Sequence, residues 1–292
     1  MKYLKPFVIQ TASILLLFFL AALPLYLYNM DGKLIFQPFE ISNEMINFIV
    51  GLFNGESFFY MQGDRRRFLI SDLTSFFLSS YFYLTISLLI VIIISFILGI
   101  WFWRKSEKWV NSILGFIGIV PDFILVLLLQ LLVTYIYKKT GVKVLKVASF
   151  SMDDPAIFLP IFTLSILPLF YLIRTLNNKT YEVLTEDYIL TAKAKGLTKR
   201  YIYMNHVTSN VLPFLKADLY KIVGIPLSNL FIIEYLYNTR GLTEILFEYP
   251  ENFGYQYNLV VITLLSFFVL YIGTLFTIKL FIFLIERIFI NG

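Results

Sequence analysis

From Ser79 to Trp103 the chain carries no charged side chain, and five further segments, 7–28, 110–137, 156–174, 217–236 and 258–285, are predominantly apolar with at most three charged residues each. At 1.5 Å per residue, about 20 such residues cross the roughly 30 Å hydrocarbon layer of a bilayer. With 59% of residues hydrophobic and only 15% charged, the chain lacks the polar side chains that would cover six such helices in water. The expected fold is an all-α polytopic membrane protein with six transmembrane helices. Pro160, Pro168 and Pro226 interrupt the fourth and fifth segments, which a bundle tolerates where neighbouring helices cover the freed carbonyls.

Lys2 and Lys5 precede the first apolar run. That run exceeds the roughly 7–15-residue core of a cleaved leader and has no small-residue cleavage site, so it reads as a retained anchor. Arg104, Lys105, Lys108 and the basic residues near 193–200 fall on the same side of the bilayer as Lys2 and Lys5, which predicts both termini inside. Residues 1–78 then form an anchor helix and an extracytoplasmic segment; 79–292 form a five-helix core with a cytoplasmic loop at about 175–215. The 30–78 segment, with aromatic clusters such as Phe58-Phe59-Tyr60, is expected to form short amphipathic helices on the membrane or against the bundle.

The absence of cysteine excludes disulfides, thiolate metal sites and thiol redox chemistry. His206, the single histidine, forms no multi-histidine metal site and is expected to pack within its loop. The Gly32-Lys33 pair lacks the upstream glycine of a G-x4-G-K-[ST] phosphate loop, so any ATP-driven work draws energy from another polypeptide.

One stretch breaks the apolar pattern: Thr185 to His206, TEDYILTAKAKGLTKRYIYMNH. Thr185 is placed to cap a helix N-terminus, with Glu186 and Asp187 in the first turn and Lys193 and Lys195 in the last, where their charges suit the helix dipole. Gly196 takes the position beyond the helix where positive φ is wanted, and Thr198 caps a second helix running towards Pro213. Leu184, Tyr188, Ala192 and Gly196 recur every four residues, and the small Ala192–Gly196 edge would let another backbone approach closely. The insert reads as helix, glycine turn, helix, and as a docking element for a cytoplasmic partner.

The run Asp187-Tyr188-Ile189-Leu190-Thr191-Ala192-Lys193-Ala194-Lys195-Gly196-Leu197, followed by His206 and Asn210, resembles the cytoplasmic loop of binding-protein-dependent ABC importer permeases of the dipeptide/oligopeptide/nickel branch. That branch carries D-Y-[IV]-R-T-A-R-A-K-G-L-S at this place. Against the wider E-A-A-x3-G-x9-I-x-L-P form, Gly196 and Ala192 match; the I-x-L-P positions fall on His206 to Ser209, and the proline comes only at Pro213. Weaker similarities are Gly118-Ile119-Val120-Pro121-Asp122-Phe123, Gly55-Glu56-Ser57, Ile233-Glu234 with Arg240-Gly241-Leu242, and Glu286-Arg287. The resemblance implies a type I ABC importer permease fold in the bacterial plasma membrane. It implies a second homologous permease subunit, two cytoplasmic ATPases that bind ATP and magnesium, and an extracytoplasmic solute-binding lipoprotein. This chain itself then carries no cofactor and no catalytic residue. Tyr188, Thr191, Ala192, Lys193, Ala194, Lys195, Gly196 and Leu197 are implied to couple the spans to the ATPases, the lysines meeting acidic groups on the cleft rim. A short peptide is the implied solute, with nickel or a metal chelate as the alternative; a transport-inactive sensor or scaffold is the rival reading.

Among the remaining polar residues, Asp122, Ser228, Asn229 and Glu234 are candidates for lining a pathway, because polar groups at membrane depth are costly without a role. Gln130 is expected to bond between helices. Asp218 and Lys221, three apart, are expected to pair, and Lys279 to reach its amine toward the interface. A membrane-embedded enzyme would need acids, histidines or a nucleophile gathered on one cavity, and the scattered acids argue against it.

Overall fold

The computed structural model of the protein describes residues 4–30, 33–104, 110, 112–113, 120–151 and 153–290. Two compact units result: Met1–Leu78 with Gly241–Val269, and Ser79–Arg240 with Leu270–Gly292. In chain order the elements are α1 (Leu4–Tyr26), hairpin β1–β2 (Leu27–Met30, Lys33–Phe36), α2 (Pro38–Asn54), hairpin β3–β4 (Phe59–Gln62, Arg65–Phe68) and α3 (Leu69–Phe96). They continue with α4 (Asp122–Thr140), α5 (Phe158–Thr185), α6 (Asp187–Ala194), α7 (Lys199–Tyr201), α8 (Thr208–Ala217), α9 (Leu219–Tyr237), α10 (Leu242–Phe253) and α11 (Tyr257–Ile290). Wider π turns extend α3 over Ile97–Trp101 and join α7 to α8 over Ile202–Val207.

Among the described residues, five helices are long and apolar enough to cross a membrane: Leu69–Trp101, Phe123–Thr140, Phe158–Thr185, Leu219–Tyr237 and Tyr257–Arg287. α1 covers the first apolar run, of which Thr11–Tyr26 is a shorter apolar stretch. Two boundaries differ from the sequence expectation. α3 starts at Leu69 rather than Ser79, because Leu69, Leu73 and Phe76 are buried and carry the helix past Asp72. α5 runs on past Arg174 to Thr185, since Leu176, Asn177, Thr180 and Val183 keep one face buried after the other turns polar. The third segment lies partly outside the described residues; its described part, α4, starts after Pro121 and stops where Gly141 adopts φ +69°.

The first unit departs further from expectation. Residues 38–54 form the anticipated amphipathic helix, but the segment also holds the two β-hairpins, whose short strands alternation did not reveal. Phe18 and Tyr257 each meet Phe48 edge-on, at 5.6 and 5.5 Å. The Gln256 amide accepts from Met61 N–H and donates to Met61 O, both at 2.7 Å, taking the place of a neighbouring strand at the open edge of β3.

In the second unit α5 and α9 pack along their lengths, burying Leu164, Leu172 and Ile173 with Ile222, Val223 and Leu230. The first π turn meets α5 at Gly99, where a β-carbon would stand 2.6 Å from Leu176 Cβ, so glycine is required. Thr180 Oγ1 donates to the carbonyl thus brought close, Gly99 O, at 3.1 Å. Gln130 bonds between elements as expected, donating to Val147 O and Leu236 O, both at 2.9 Å. These bonds, with Ser149 N–H to Tyr237 O at 2.9 Å and Asn238 Nδ2 to Ser149 O at 3.1 Å, clip the 141–157 connection to the end of α9.

Candidate functional site

The charged insert does form helix, turn, helix, but its start is not the expected one. Thr185 closes α5: its hydroxyl donates to Glu182 O at 2.7 Å and to Tyr181 O at 3.3 Å. Glu186, with extended backbone at ψ 146°, takes the N-cap of α6 without a side-chain bond. A threonine with a free i−3 carbonyl behind it satisfies that acceptor first. Leu184 therefore belongs to a different helix from Tyr188, and the four-residue ladder is broken between them.

α6 ends as read from the sequence. Gly196 sits at φ +77°, its N–H donating to Lys193 O at 3.0 Å, while Leu197 N–H reaches back to Ala192 O at 3.2 Å. This pair of bonds is the left-handed C-cap that consumes the last free carbonyls and turns the chain sharply. Thr198 Oγ1 then accepts from Tyr201 N–H at 3.3 Å, capping the second helix as anticipated. The whole bend is rigid because both ends are capped within about four residues.

Ile189 and Ala192 face inward and are buried within the chain; Tyr188, Leu190, Thr191, Lys193, Ala194, Lys195, Gly196 and Leu197 are exposed. The small edge expected from Ala192 to Gly196 is thus split. The Ala192 methyl serves the chain's own packing, and the outward side of α6 is formed by Tyr188 and Thr191 flanked by Leu190 and Ala194. Although Tyr188 is exposed, partial desolvation of its phenol first, and then the Glu186 carboxylate, push it above its ordinary range. His206 packs as expected, its ring edge-on to Tyr188 at 6.4 Å and Tyr201 at 5.9 Å. That contact ties the second helix to the first across the turn. Ile202, Val207, Val211 and Leu215 anchor the second helix beneath it.

Three of the four pathway candidates, Ser228, Asn229 and Glu234, lie on α9. Ser228 is exposed and donates within its own helix to Ile225 O at 2.7 Å; Asn229 beside it is half-buried. Glu234 is 3% exposed and accepts a bond from Ser80 of α3, so it sits in a helix contact. Asp122 begins α4, and its side chain lies outside the described residues. Asp218 and Lys221 do not pair with each other. Tyr171 stands between them, donating to Asp218 Oδ2 at 3.1 Å while its ring carries the Lys221 ammonium at 4.3 Å. Spacing on one helix could not reveal a partner on α5. Lys279 lies over Tyr220 at 4.9 Å.

Sequence reading passed over one group. Trp103 Nε1 donates to Tyr203 Oη at 3.0 Å, Trp101 meets the same Tyr203 ring at 6.5 Å, and Tyr181 meets Trp103 at 5.8 Å. The signal was present in the Trp-x-Trp pair closing an apolar run, the pattern of an interfacial aromatic belt.

Membrane-length helices, two of them joined through a doubly capped, solvent-facing elbow, define a polytopic membrane protein. Residues 91–289 match the family described as binding-protein-dependent transport system inner membrane component. That match covers more than half of the chain, which belongs to this family: ABC transporter permeases, multi-pass proteins of the cytoplasmic membrane. The dipeptide transport system permease protein DppB of Bacillus subtilis is 36% identical over 84 residues, 29% of this chain and 27% of that protein. The putative peptide permease BOV_A0351 of Brucella ovis is 26% identical over 149 residues, 49% of this chain and 47% of its own. The oligopeptide transport system permease protein OppB of Mycoplasma pneumoniae is 32% identical over 77 residues, 26% and 20% of the two chains. In these matches the chain spans less than half of each relative.

Proposed function

We propose that this chain is one of two permease subunits of an ATP-driven importer, crossing the membrane six times with both termini inside. A second homologous permease completes the translocation pathway, two cytoplasmic ATPases bind ATP and magnesium, and an extracytoplasmic binding protein delivers the solute. The solute is a short peptide, the class for which the dipeptide and oligopeptide permeases among its relatives are named. Ser228, Asn229, Glu234 and Asp122 are the polar groups proposed along the pathway.

The single observation that carries this reading is α6. A short helix held by a left-handed cap at Gly196 and tied back through His206 moves as one piece with α5 and α8, so a push on Tyr188 or Leu190 is passed to the spans rather than absorbed. Its exposed side offers Tyr188, Leu190 and Leu197 as apolar contacts and Lys193 and Lys195 as charges for an acidic cleft rim. The test is reconstitution of this chain with its second permease and the candidate ATPases. ATP turnover rises on adding binding protein and peptide, and a Tyr188→Cys variant crosslinks to the ATPase. Crosslinking nowhere on α6, or turnover indifferent to binding protein and peptide, would reject the assignment.

A further inference from the structure

Two cavities of the second unit meet at Trp101 and Phe102. The first, of about 420 Å³, is walled only by apolar side chains: Ile93 and Phe96 of α3, Ile97 of its extension and Phe281 and Ile285 of α11, together with that shared pair. The second, of about 950 Å³, opens beyond the pair between the end of α3 and the α6–α7 elbow. Among the described residues its lining includes the cations Arg104, Lys193 and Lys199 and no carboxylate. None of the three cations forms an ion pair among the described residues. Arg104 instead lies over Trp103 at 5.3 Å and Lys199 over Tyr203 at 5.7 Å, which holds both side chains beside the cavity.

We infer that this composite groove binds one anionic phospholipid, its acyl chain in the apolar slot and its phosphoryl headgroup between Arg104 and Lys199, while Lys193 is left to the ATPase rim. A soluble phosphate has no use for the slot, and a neutral lipid leaves Arg104 and Lys199 without a counter-charge among the described residues. Trp101 lines both compartments, and Trp103 and Tyr203 line the second beside it, where an amphipathic ring suits the boundary of tail and headgroup. The assignment rests on the orientation proposed above, which puts the elbow at the inner leaflet, where anionic lipid meets basic side chains. Because α6 and α7 form one wall, a bound headgroup braces the coupling elbow.

Two of the chain's three tryptophans, Trp101 and Trp103, line the groove, so intrinsic fluorescence reports on it. The full chain, with its second permease where needed, is placed in nanodiscs of phosphatidylcholine, and brominated phosphatidylglycerol or brominated phosphatidylcholine is titrated in. Phosphatidylglycerol quenches at lower mole fraction, and Arg104→Gln or Lys199→Gln each cuts that preference about fivefold, the effect of one cation near an anionic surface. Quenching by brominated phosphatidylcholine stays as in the parent chain, reporting that each variant remains inserted. Equal quenching by the two lipids, or a preference untouched by either substitution, overturns the inference. Abolition of the preference by millimolar glycerol phosphate also overturns it, in favour of a soluble phosphate. ATPase crosslinking at Tyr188 is read separately, so loss of the lipid preference with crosslinking intact rejects the lipid site alone.

Discussion

Gly196 offers a sharp test of the coupling elbow, because its environment separates backbone strain from steric fit. A β-carbon placed there meets nothing within 4 Å, so substitution adds no clash. The residue nevertheless holds φ +77°, a conformation that costs an ordinary L-residue about 1–2 kcal/mol. Relief by unwinding would sacrifice the Gly196 N–H to Lys193 O and Leu197 N–H to Ala192 O bonds, each worth about 1 kcal/mol net. Either route makes the docked geometry cost about 1–2 kcal/mol, which is about 5- to 30-fold in ATPase affinity. Gly196→Ala is expected near the middle of that range. Gly196→Val falls at or beyond its upper end, since β-branched residues avoid positive φ, and Gly196→Asn stays near the parent because asparagine tolerates it. The assay titrates purified ATPase onto permease in nanodiscs and compares the dissociation constants, with membrane insertion checked by proteolysis. If alanine, valine and asparagine weaken binding equally, or none does, the rigid-cap reasoning is refuted.

Gly99→Ala should lower the melting temperature of the purified chain by overpacking worth about 1–3 kcal/mol, and Leu176→Ala should not rescue it, because the clash is with the Leu176 β-carbon itself. Gln130→Leu should leave Val147 O and Leu236 O without their amide donor at a cost of about 1–3 kcal/mol, seen as faster proteolysis of the 141–157 connection. Tyr171→Phe should remove the bond to Asp218 yet keep the ring under Lys221, costing about 1 kcal/mol, whereas Tyr171→Leu should cost more; thermal unfolding of the two variants decides. Burial pushes the Tyr255 phenol from 10.0 up to about 12. Its contribution to stability is thus complete below pH 10 and is lost as pH climbs towards 12, where the unfolded phenol ionises first. Alkaline unfolding of the Tyr255→Phe variant should be flatter across that window.

Much of the candidate site could be read in one dimension. Gly196 after a lysine-closed helix, and Thr198 before the next, are local signals, because a cap is satisfied by residues within about four positions of it. The Thr185 and Ala192 readings failed for a different reason. Thr185 had two carbonyls to choose from, and only the continuation of α5 to that residue put Glu182 O and Tyr181 O within its reach. Ala192 shares a helix side with Gly196 by spacing, but which side faces solvent is decided by Ile189, Ile202 and Val207 packing beneath it.

Apolar runs of bilayer length and the capped elbow between the fourth and fifth of them were determined by the sequence alone, since hydrophobic transfer and helix capping act on neighbouring residues. Partners distant along the chain were decided only by the tertiary structure. Tyr171 between Asp218 and Lys221, Gly99 against Leu176, and the meeting of an apolar slot with three cations at Trp101 depend on how helices far apart in sequence are placed side by side. Such pairings exist only after packing has chosen which faces meet.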